Sequence, residues 1–311
     1  MNSVCLAVLN YNGIHHLESL LPGLEAACRQ SPIPASIVIL DNQSTQGDVE
    51  WVRQHYPGVR CVVSPKNDFL FSYNWLVEQL PDDVVVLLNN DLRVDEQFLK
   101  PLLRHFQSAD VFAVSASSFD WEGNERTIGP ARLTFRNGLY GWYYEPQRQE
   151  LCHTLFASGG FMAVDRRKFL ELGGFNRLFH PAYCEDLDLG FRAWRRGWRS
   201  IYEPTSIVWH REQASWKVSS VGRSNSLNLR HSLFFQWSSL PMETKRMTRY
   251  WTLVKLFGGE LLRGKKHWLS IYPRTWREWC KIRKQYAGLK VSQQELAAMQ
   301  KSMDIPLISG N

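Results

Sequence analysis

Val84-Val85-Val86-Leu87-Leu88-Asn89-Asn90-Asp91 is a stretch in which five apolar residues run directly into three polar ones. A continuous apolar run of this kind, with β-branched valines, is typical of a strand buried on both faces of a helix-covered sheet. Similar runs occupy residues 4–9, 37–40 and 59–63, and segments with helical spacing lie between them. Such alternation produces a parallel sheet with helices on its faces. The sequence therefore predicts an α/β fold with a mostly parallel sheet flanked by helices.

Polar clusters follow three of these four runs, where the predicted strands end: Asn10-Tyr11-Asn12, Asp41-Asn42 and Asn89-Asn90-Asp91. Ligands bind to open α/β sheets beyond the carboxyl ends of the strands, so these side chains are candidates for a binding site. The preference of Asn and Asp for turns explains each cluster equally well when it is taken alone. Asp91, at the tip of a buried strand, is suited to a divalent cation, Mg²⁺ or Mn²⁺, whose other ligands are diphosphate oxygens and waters.

A nucleotide is the ligand that these clusters suit best. Asn89 points to the same side of its strand as Asp91 and can hydrogen-bond a ribose hydroxyl. Asp41-Asn42 can bind a ribose or a base, and Lys66 or Asn67, after the third strand, can reach a base edge. The chain has no Gly-x-x-x-x-Gly-Lys, and no Gly-x-Gly-x-x-Gly follows its first strand. A P-loop NTPase is thereby excluded, and a dinucleotide-binding half is not expected.

Three carboxylates, Glu185, Asp186 and Asp188, stand within four positions at the start of a predicted helix that ends at Gly197. One acid near a helix start caps free N–H groups, but a helix does not require three. Either one acid is a cap and two are solvated, or one of them has a chemical role. We expect the helix N-terminus to keep Asp186 ionised. Asp188, on another face of the helix, is expected to pair with Arg192 or Arg195.

Other candidates lie in the second half of the chain. Residues 119–150 are irregular and rich in aromatic side chains, and Trp142 among them is a candidate for stacking on a sugar; a packed loop or hairpin is the alternative. Gly159 and Gly160 precede an apolar strand and indicate close approach of the backbone to another group. His210 follows a short predicted strand at 207–209, and a single histidine in such a place is more often structural than a ligand.

The charge divides the chain near residue 215. Residues 1–215 hold 20 Lys and Arg against 25 Asp and Glu, whereas residues 216–311 hold 17 against 5, together with six of the 13 Trp. Residues 241–311 combine helical apolar spacing at 247–261 with basic residues and Trp268, Trp276 and Trp279, a pattern typical of helices that lie on an anionic membrane. The alternative is that the apolar stripe packs on the rest of the protein. Nucleic acid is not an expected partner, because no recognition motif accompanies the charge.

Cysteine usage and hydropathy suggest the compartment. The six Cys form no Cys-x-x-Cys pair, so we expect reduced thiols in a cytoplasmic protein. No run approaches the roughly 18 apolar residues of a membrane span, and the N-terminus does not resemble a signal peptide. The expected location is the inner face of the plasma membrane, with peripheral attachment.

The order of these motifs resembles the family 2 glycosyltransferases of the GT-A fold, and within them the bacterial rhamnosyltransferase-like enzymes. The resemblance covers residues 3–213 and rests on seven short pieces in the right order: Asn10-Tyr11-Asn12, Asp41-Asn42-x-Ser44, Asn89-Asn90-Asp91, Gly159-Gly160, Gly173-Gly174-Phe175, Glu185-Asp186-Leu187-Asp188-Leu189 and His210.

The resemblance implies a role for each motif residue. A catalytic domain at 1–215 would comprise a nucleotide-sugar half at about 1–115 and an acceptor half at about 116–215, followed by a helical membrane-associating region at 216–311. Asp186 matches the catalytic base, and Asp91 and His210 match the groups that approach the metal. Donor-binding residues would be Asn10, Tyr11, Asn12, Asp41, Asn42, Asn67, Asn89 and Asn90, and acceptor-binding residues Glu185, Trp142, Gly159 and Gly160.

The implied function is inverting, metal-dependent transfer of one sugar from a nucleotide-diphosphate donor, with dTDP-rhamnose as a candidate, to a lipid-linked or cell-surface glycan. The chain departs from the family pattern after the third strand, where Asn67-Asp68-Phe69-Leu70 has Phe69 in place of a glycine. Because the Gln-x-x-Arg-Trp of processive members is absent, a single transfer per acceptor is expected. The alternative is a non-catalytic protein on the same fold that binds a nucleotide sugar or a glycan.

Overall fold

A ten-stranded mixed sheet lies at the centre of the computed structural model, which describes residues 1–136, 139–211, 221–239, 267–289, 291–304 and 307. Strands β8 and β9 form a separate hairpin. The strands are β1 Val4–Asn10, β2 Ala35–Asp41, β3 Arg60–Val63, β4 Val84–Asn89, β5 Leu92–Val94, β6 Val111–Phe119, β7 Arg126–Ile128, β8 Ala131–Arg136, β9 Leu139–Tyr144, β10 Cys152–Thr154, β11 Phe161–Asp165 and β12 Arg199–His210.

Helices cover both faces of this sheet. They are α1 Ile14–Arg29, α2 Asp48–His55, α3 Ser72–Gln79, α4 Leu99–Arg104, α5 Arg166–Glu171, α6 Glu185–Arg195, α7 Val221–Ser239, α8 His267–Ile282 and α9 Gln293–Met303. Single 3₁₀ turns or short 3₁₀ helices occur at Phe69–Phe71, His105–Gln107, Arg177–Phe179 and Arg283–Leu289. The α/β fold and the four strands expected at 4–9, 37–40, 59–63 and 84–88 are confirmed.

Strands β3, β2, β1 and β4 are neighbours in that order and run parallel, so their carboxyl ends meet at one edge. The register places Asn10 beside Asp41, which brings two of the polar clusters together. Strand β11 runs antiparallel between β4 and β6, and β12 runs parallel to β6 on its other side. Strand β5 pairs with the end of β12 and places Leu92 opposite His210. The polar cluster after β4 therefore reaches the end of β12.

Residue 115, near which a division into two halves is expected, lies inside β6, and strands from both sides of it belong to one sheet. Strand β12 begins at Arg199, whereas the sequence predicts a strand only at 207–209. The first half escapes prediction because Glu203 and Pro204 do not give an apolar strand pattern. The register of β12 against β6 shifts between Glu203 and Ile207, and this irregularity accommodates the proline.

The described residues after 215 pack on the sheet domain formed by the preceding part of the chain. Phe235 of α7 lies edge-on to Phe191 of α6, with ring centroids 5.3 Å apart. Trp279 of α8 and Leu296 of α9 are buried in the same core cluster as the residues of α6. Burial of each such side chain contributes about 1.5–3 kcal/mol. The helical extension is confirmed, and its described part follows the packing alternative.

The apolar stripe expected at 247–261 lies outside the described residues, as does the expected boundary at residue 215. Among the described residues, no helix is both long enough and apolar enough to cross a bilayer. Trp279 packs inside, whereas Trp276 on the same helix is 43% exposed.

Candidate active site

The ends of β1, β2 and β4 are joined by a network of buried side chains centred on Asn10. The Nδ2 of Asn10 donates to Oδ1 of Asp48 at 2.8 Å, and its Oδ1 accepts from Nδ2 of Asn90 at 2.8 Å. Asp41, two per cent exposed, accepts from Nδ2 of Asn10 at 3.4 Å. Gly13 lies against this network, since a Cβ there would be 2.1 Å from Nδ2 of Asn90. The three clusters thus meet, as their positions at strand ends predict.

Asn42 connects this network to the loop after β3. Its Nδ2 donates to the carbonyl of Phe69 at 3.0 Å, and its Oδ1 accepts from Ser64 at 3.0 Å and from Ser72 at 2.5 Å. Phe69 has φ of 54°, so this residue keeps the left-handed backbone that a glycine would adopt there, at some cost in strain. Its ring is 45% exposed.

Four of the predicted donor-binding residues keep accessible surface at this edge, among them Asn89, which is half-buried. Tyr11 is 52% exposed, and Asn67 is also exposed. Asn12 is half-buried; its backbone N–H donates to Ser44 Oγ at 2.9 Å, and its Oδ1 accepts from the N–H of Thr45 at 2.7 Å. Accessible side chains therefore surround a buried framework made by Asn10, Asn42 and Asn90.

Asp91 and His210 face each other at the end of β12. Nε2 of His210 lies 3.3 Å from Oδ1 of Asp91, and the N–H of Arg211 donates to the Asp91 carbonyl at 3.0 Å. Oδ1 of Asp91 is buried and has no hydrogen-bond partner, and neither does the buried Nδ1 of His210. A buried carboxylate oxygen without a donor is costly, so this pair is suited to a further positively charged group.

The donor atoms of this pair fit a shared divalent cation. Two ligands at about 2.1 Å from an octahedral ion and at right angles to each other are about 3 Å apart, close to the observed separation. Among the described residues, no cluster of three His, Cys, Asp or Glu side chains offers a complete metal site. Asp91 and His210 could supply two ligands, and substrate oxygens and waters would have to supply the others.

The acidic helix meets the sheet edge at Gly159 and Gly160. The N–H of Gly159 donates to Oδ2 of Asp186 at 3.3 Å. Gly160 packs under the side chain of Asn89, where a Cβ would lie 2.9 Å from Nδ2. The close backbone approach expected from the two glycines is therefore toward Asn89 and Asp186 of the protein itself. It places the start of α6 beside the end of β4.

Asp186 and Glu185 differ in their environments although they are adjacent. Oδ1 of Asp186 accepts from the N–H of Leu187 at 2.8 Å, in addition to the bond from Gly159. Burial nevertheless raises the pKa of Asp186, and the backbone N–H groups oppose this only in part. Desolvation therefore outweighs the backbone N–H groups in setting the pKa of Asp186, and the expectation that the helix N-terminus keeps this carboxyl ionised stays a prediction. The pKa of Glu185 is raised well above its ordinary value, first by burial and then by the charge of Asp186.

Asp188 has a structural role, as expected from its spacing. The Asp188 side chain is fully buried, and its Oδ2 accepts from Nε of Arg192 at 2.7 Å. Arg192 also donates to the carbonyls of Leu172 at 2.7 Å and Gly174 at 2.8 Å. The pair therefore fastens α6 to the turn that follows α5.

Trp142 lies in the β8–β9 hairpin, so the aromatic segment is partly a hairpin. Its ring is edge-on to Tyr144 at 5.2 Å and to Phe156 at 5.3 Å. The Tyr144 hydroxyl is hydrogen-bonded to Ser158, and burial, followed by the charge of Asp186, raises the pKa of this tyrosine. Tyr144, and not only Trp142, therefore lies close enough to Glu185 and Asp186 for their charges to affect it.

Several site residues escape prediction from the sequence. Asp48 accepts from Asn10, 38 positions away, and the N–H of Ser158 donates to Ser115, 43 positions away; no local pattern distinguishes either residue from an ordinary turn residue. Tyr144 carried a usable signal, since it alternates with Trp142 along a strand and shares its face.

Comparison with known proteins gives one family and several relatives. The model of the family described as glycosyl transferase family 2 matches residues 3–173. The chain is 27% identical to the N-acetylglucosaminyl-diphospho-decaprenol L-rhamnosyltransferase of Mycobacterium tuberculosis over 256 residues, which are 72% of this chain and 79% of that protein.

Solved structures show the same fold at low sequence identity. GalNAc-T7 with UDP, GalNAc and Mn²⁺ is similar with a TM-score of 0.55 and 16% identity, over 74% of this chain and 47% of that one. The mannosyltransferase PcManGT from Pyrobaculum calidifontis, in complex with GDP-Man and Mn²⁺, has a TM-score of 0.53 and 15% identity, over 96% of this chain and 79% of that one.

Proposed function

Because the chain belongs to glycosyl transferase family 2, we propose that it moves one sugar from a nucleotide-diphosphate donor to a lipid-linked glycan, with inversion at C1 of the sugar. The family resemblance seen in its motifs and the GT-A fold are both confirmed. The observation that carries the mechanism is the Asp186 carboxylate, held 3.3 Å from the backbone nitrogen of Gly159 at the sheet edge where the strand-end clusters meet.

In this mechanism Asp186 takes the proton of the acceptor hydroxyl as that oxygen attacks C1 of the donor sugar. The bond between C1 and the diphosphate oxygen breaks in the same step, and the nucleoside diphosphate leaves with the bonding electrons. A carboxylate in this role contributes about 10²–10⁴-fold to the rate. The raised pKa of Asp186 suits the role, since a more basic carboxylate accepts a proton more readily.

Glu185 complements Asp186 in this proposal. Two adjacent carboxyl groups with different environments divide the proton and the charge between them. Asp186 has two backbone N–H donors, whereas Oε2 of Glu185 is buried and without a hydrogen-bond partner. The negative charge therefore resides on Asp186, and Glu185 retains the proton. Protonated Glu185 can donate a hydrogen bond that orients the acceptor.

The donor nucleotide would lie over the strand ends. Asn10 and Asn42 bond to the protein through both amide atoms, and Asn90 donates to Asn10, so these three would shape the pocket through the loops they hold. Tyr11, Asn12 and Asn67 are the accessible groups for a base or ribose. Asn89 and Asp41 border the same edge. This division refines the donor-binding set expected from the motifs without removing a member from it.

A divalent cation, Mg²⁺ or Mn²⁺, would be held by Asp91 and His210, with diphosphate oxygens and waters as its other ligands. When bound, it would neutralise the charge that develops on the leaving diphosphate. The support within this chain is the buried Oδ1 of Asp91, which has no hydrogen-bond partner and lies 3.3 Å from Nε2 of His210.

The proposed substrates follow from the mycobacterial relative, whose name specifies an L-rhamnosyl group and a diphospho-decaprenol acceptor. We therefore take dTDP-rhamnose and N-acetylglucosaminyl-diphospho-decaprenol as the first pair to test. Product formation by the wild-type chain would support the proposed substrates. Absence of transfer with this pair, while another nucleotide sugar gives a larger thermal shift with Mn²⁺, would reject rhamnose as the donor sugar.

Substitution of Asp186 tests the catalytic base. Asp186→Asn should lower kcat by about 10²–10⁴-fold while nucleotide-sugar affinity stays within about threefold, because the amide cannot accept the proton. Glu171→Gln, which changes an exposed acid on α5, is the matched control and should keep wild-type kcat. Near-normal turnover of Asp186→Asn would remove this residue from the chemistry.

Removal of the metal tests the cation site. Chelation by EDTA should abolish transfer, and added Mn²⁺ should restore it. Asp91→Asn should weaken Mn²⁺-dependent binding of dTDP-rhamnose, measured by calorimetry, and should leave metal-free binding nearly unchanged. Full activity in the presence of EDTA would contradict the metal assignment.

Attachment to the cytoplasmic face of the plasma membrane is the remaining part of the proposal. Helix α8 presents an exposed face with Arg274, Arg277 and Lys281 at helical spacing, and Trp276 borders it. Each basic residue near an anionic surface contributes about 1 kcal/mol. Because Trp279 and α9 belong to the core, point substitutions are a better test than deletion of 241–311.

The double variant Arg277→Glu and Lys281→Glu should bind phosphatidylglycerol vesicles at least about tenfold more weakly than wild type, since it loses two attractive charges and gains two repulsive ones. Phosphatidylcholine vesicles should show weak binding for both proteins. Arg53→Glu, on the exposed surface of α2, is the control and should not alter vesicle binding. Equal sedimentation of all three proteins with anionic vesicles would refute this part.

A further inference from the structure

The loop immediately before the acidic helix has a strained backbone. Tyr183 and Cys184 have φ angles of 73° and 68°, and neither is a glycine. Residues other than glycine remain in the left-handed region only where surrounding contacts hold them there, at a cost of about 1–3 kcal/mol each. Because Glu185 and Asp186 follow at once, the geometry of this loop determines where both carboxylates point.

One contact that holds this loop comes from helix α7, beyond residue 215. His231 of α7 is fully buried, and its Nδ1 lies 2.8 Å from the carbonyl oxygen of Ala182 and 3.1 Å from that of Tyr183. Its ring lies edge-on to Phe179 at 5.8 Å and stacks on Phe234 at 6.2 Å. Aromatic contacts on two sides therefore fix the plane of the imidazole.

The tautomer of His231 follows from its partners. Arg230 donates from Nη1 toward Nε2 at 2.8 Å, so Nε2 is the acceptor and the ring proton resides on Nδ1. Nδ1 then donates to the two loop carbonyls. Burial, together with the neighbouring Arg230 charge, lowers the pKa of His231 to about 4, although the carbonyl bonds oppose this. The ring is therefore neutral near pH 7, as this arrangement requires.

A second helix of the C-terminal region continues the chain of contacts. Nε of Arg230 donates to Oε2 of Glu278 on α8 at 2.7 Å. The connections run from Glu278 through Arg230 and His231 to the carbonyls of the loop, and Asp186 lies three residues beyond Tyr183. None of these three side chains belongs to the predicted site, and none is adjacent to it in sequence.

We propose that His231 is a positioning residue for sugar transfer, which holds the loop before α6 so that the Asp186 carboxylate faces the acceptor hydroxyl. The C-terminal helices thereby complete the active site instead of serving only as a membrane attachment. This inference rests on the proposed role of Asp186 as the base. It concerns a hydrogen-bond donor, so a substitution that keeps a donor at the same position should keep the function.

Two substitutions of His231 separate the hydrogen bond from the packing. His231→Leu removes the Nδ1 donor and keeps an apolar side chain in the pocket, whereas His231→Asn keeps an N–H donor at the same distance from the backbone. The assay uses dTDP-rhamnose and N-acetylglucosaminyl-diphospho-decaprenol as substrates. The kcat of His231→Leu should fall by about 10–100-fold, because misplacement of a catalytic group lowers the rate by that factor. The KM for dTDP-rhamnose should change by less than about threefold. His231→Asn should recover most of kcat, and Asn228→Ala, an exposed position on α7, should match wild type.

The double variant with Asp186→Asn shows whether His231 acts through the base. Residues that act as a unit are not additive, so His231→Leu should cost little further kcat when Asp186 is already asparagine. An equal loss in both backgrounds would overturn the proposal, and so would equal kcat for His231→Asn and His231→Leu. If Asp186→Asn alone is inactive and His231→Leu has wild-type kcat, only the positioning role fails. If Asp186→Asn alone keeps its turnover, the proposed base fails.

Thermal melts establish whether His231→Leu is folded. If it is not, Arg230→Met provides the test, because it removes the donor to Nε2 and frees the ring to rotate. The kcat of this variant should fall by about 3–10-fold with KM for dTDP-rhamnose unchanged, and the loss should vanish in the Asp186→Asn background. Wild-type kcat for Arg230→Met would then overturn the proposal.

Discussion

Substitution of Glu203 offers a quantitative test of how the irregular strand β12 is held. The Glu203 side chain is fully buried and accepts hydrogen bonds from Arg104 at 2.6 Å, His105 at 2.6 Å and the Thr205 hydroxyl at 2.6 Å. These donors lower the pKa of Glu203 from an ordinary 4.5 to about 2, although burial alone would raise it. The carboxylate lies at the register shift that precedes the segment leading to His210.

The contribution of this carboxylate to stability follows from its pKa. The difference between 4.5 and about 2 corresponds to about 3 kcal/mol at about 1.4 kcal/mol per pH unit. A value of about 2 kcal/mol is more realistic, because the Arg104 side chain is 52% exposed and its attraction is screened. Since the folded pKa is depressed, this stability is fully present above pH 4.5 and is lost as the pH falls from 4.5 toward 2.

Urea denaturation of wild type and Glu203→Gln, followed by tryptophan fluorescence, measures this contribution. The free energy of unfolding should differ by about 2–3 kcal/mol at pH 7, and the difference should shrink steadily between pH 4.5 and pH 3. Glu171→Gln, an exposed ion-paired acid, should differ from wild type by less than about 0.5 kcal/mol throughout. A difference for Glu203→Gln that is the same at pH 7 and pH 3 would refute the electrostatic argument.

Three further substitutions test the packing around the site by denaturation at pH 7. Arg192→Met should lower the free energy of unfolding by about 3–5 kcal/mol, because it leaves the buried Asp188 carboxylate without its partner; recovery in the double variant with Asp188→Leu is expected, and a further loss would argue against the pair. Gly13→Ala should cost about 1–3 kcal/mol, since its Cβ would lie 2.1 Å from a side-chain nitrogen, whereas Gly58→Ala, with open space around it, should be nearly neutral; equal effects would reject the steric account. Phe235→Ala should cost about 3–5 kcal/mol, and no change would mean that α7 does not pack on α6 in solution.

Local patterns were sufficient to predict the parts of the fold that depend on short stretches of chain. Apolar runs identified β1 to β4, and helical spacing indicated that Asp188 pairs with Arg192 or Arg195, of which the Arg192 pair is observed. The meeting of Asn10, Asp41 and Asn90 also followed, because strand ends in a parallel sheet share an edge. Each of these inferences needs only a period or a spacing.

Long-range contacts were beyond the reach of the sequence. The early part of β12 carries polar residues whose partners, such as Arg104 for Glu203, are distant in the chain. The pKa of Asp186 depends on how deeply α6 is buried, which no spacing reports. The basic, Trp-rich composition after residue 215 favoured helices that lie on a membrane surface. Trp279 and Phe235 of this region are nevertheless core residues. Composition describes which surfaces a helix could offer but not which of them it buries.

The antiparallel strand β11 has a consequence for how the protein folds. Its pairing with β4 closes a loop of roughly 70 residues, a non-local contact that forms slowly and late. Until it forms, β4 has an apolar edge without a partner, and an isolated fragment of residues 1–115 would keep that edge and aggregate. Strand β4, whose end carries Asn89, thus gains its second neighbour only from a strand far beyond residue 115. If the proposed donor site lies at this strand end, a fragment that stops at residue 115 should fail to bind a nucleotide sugar.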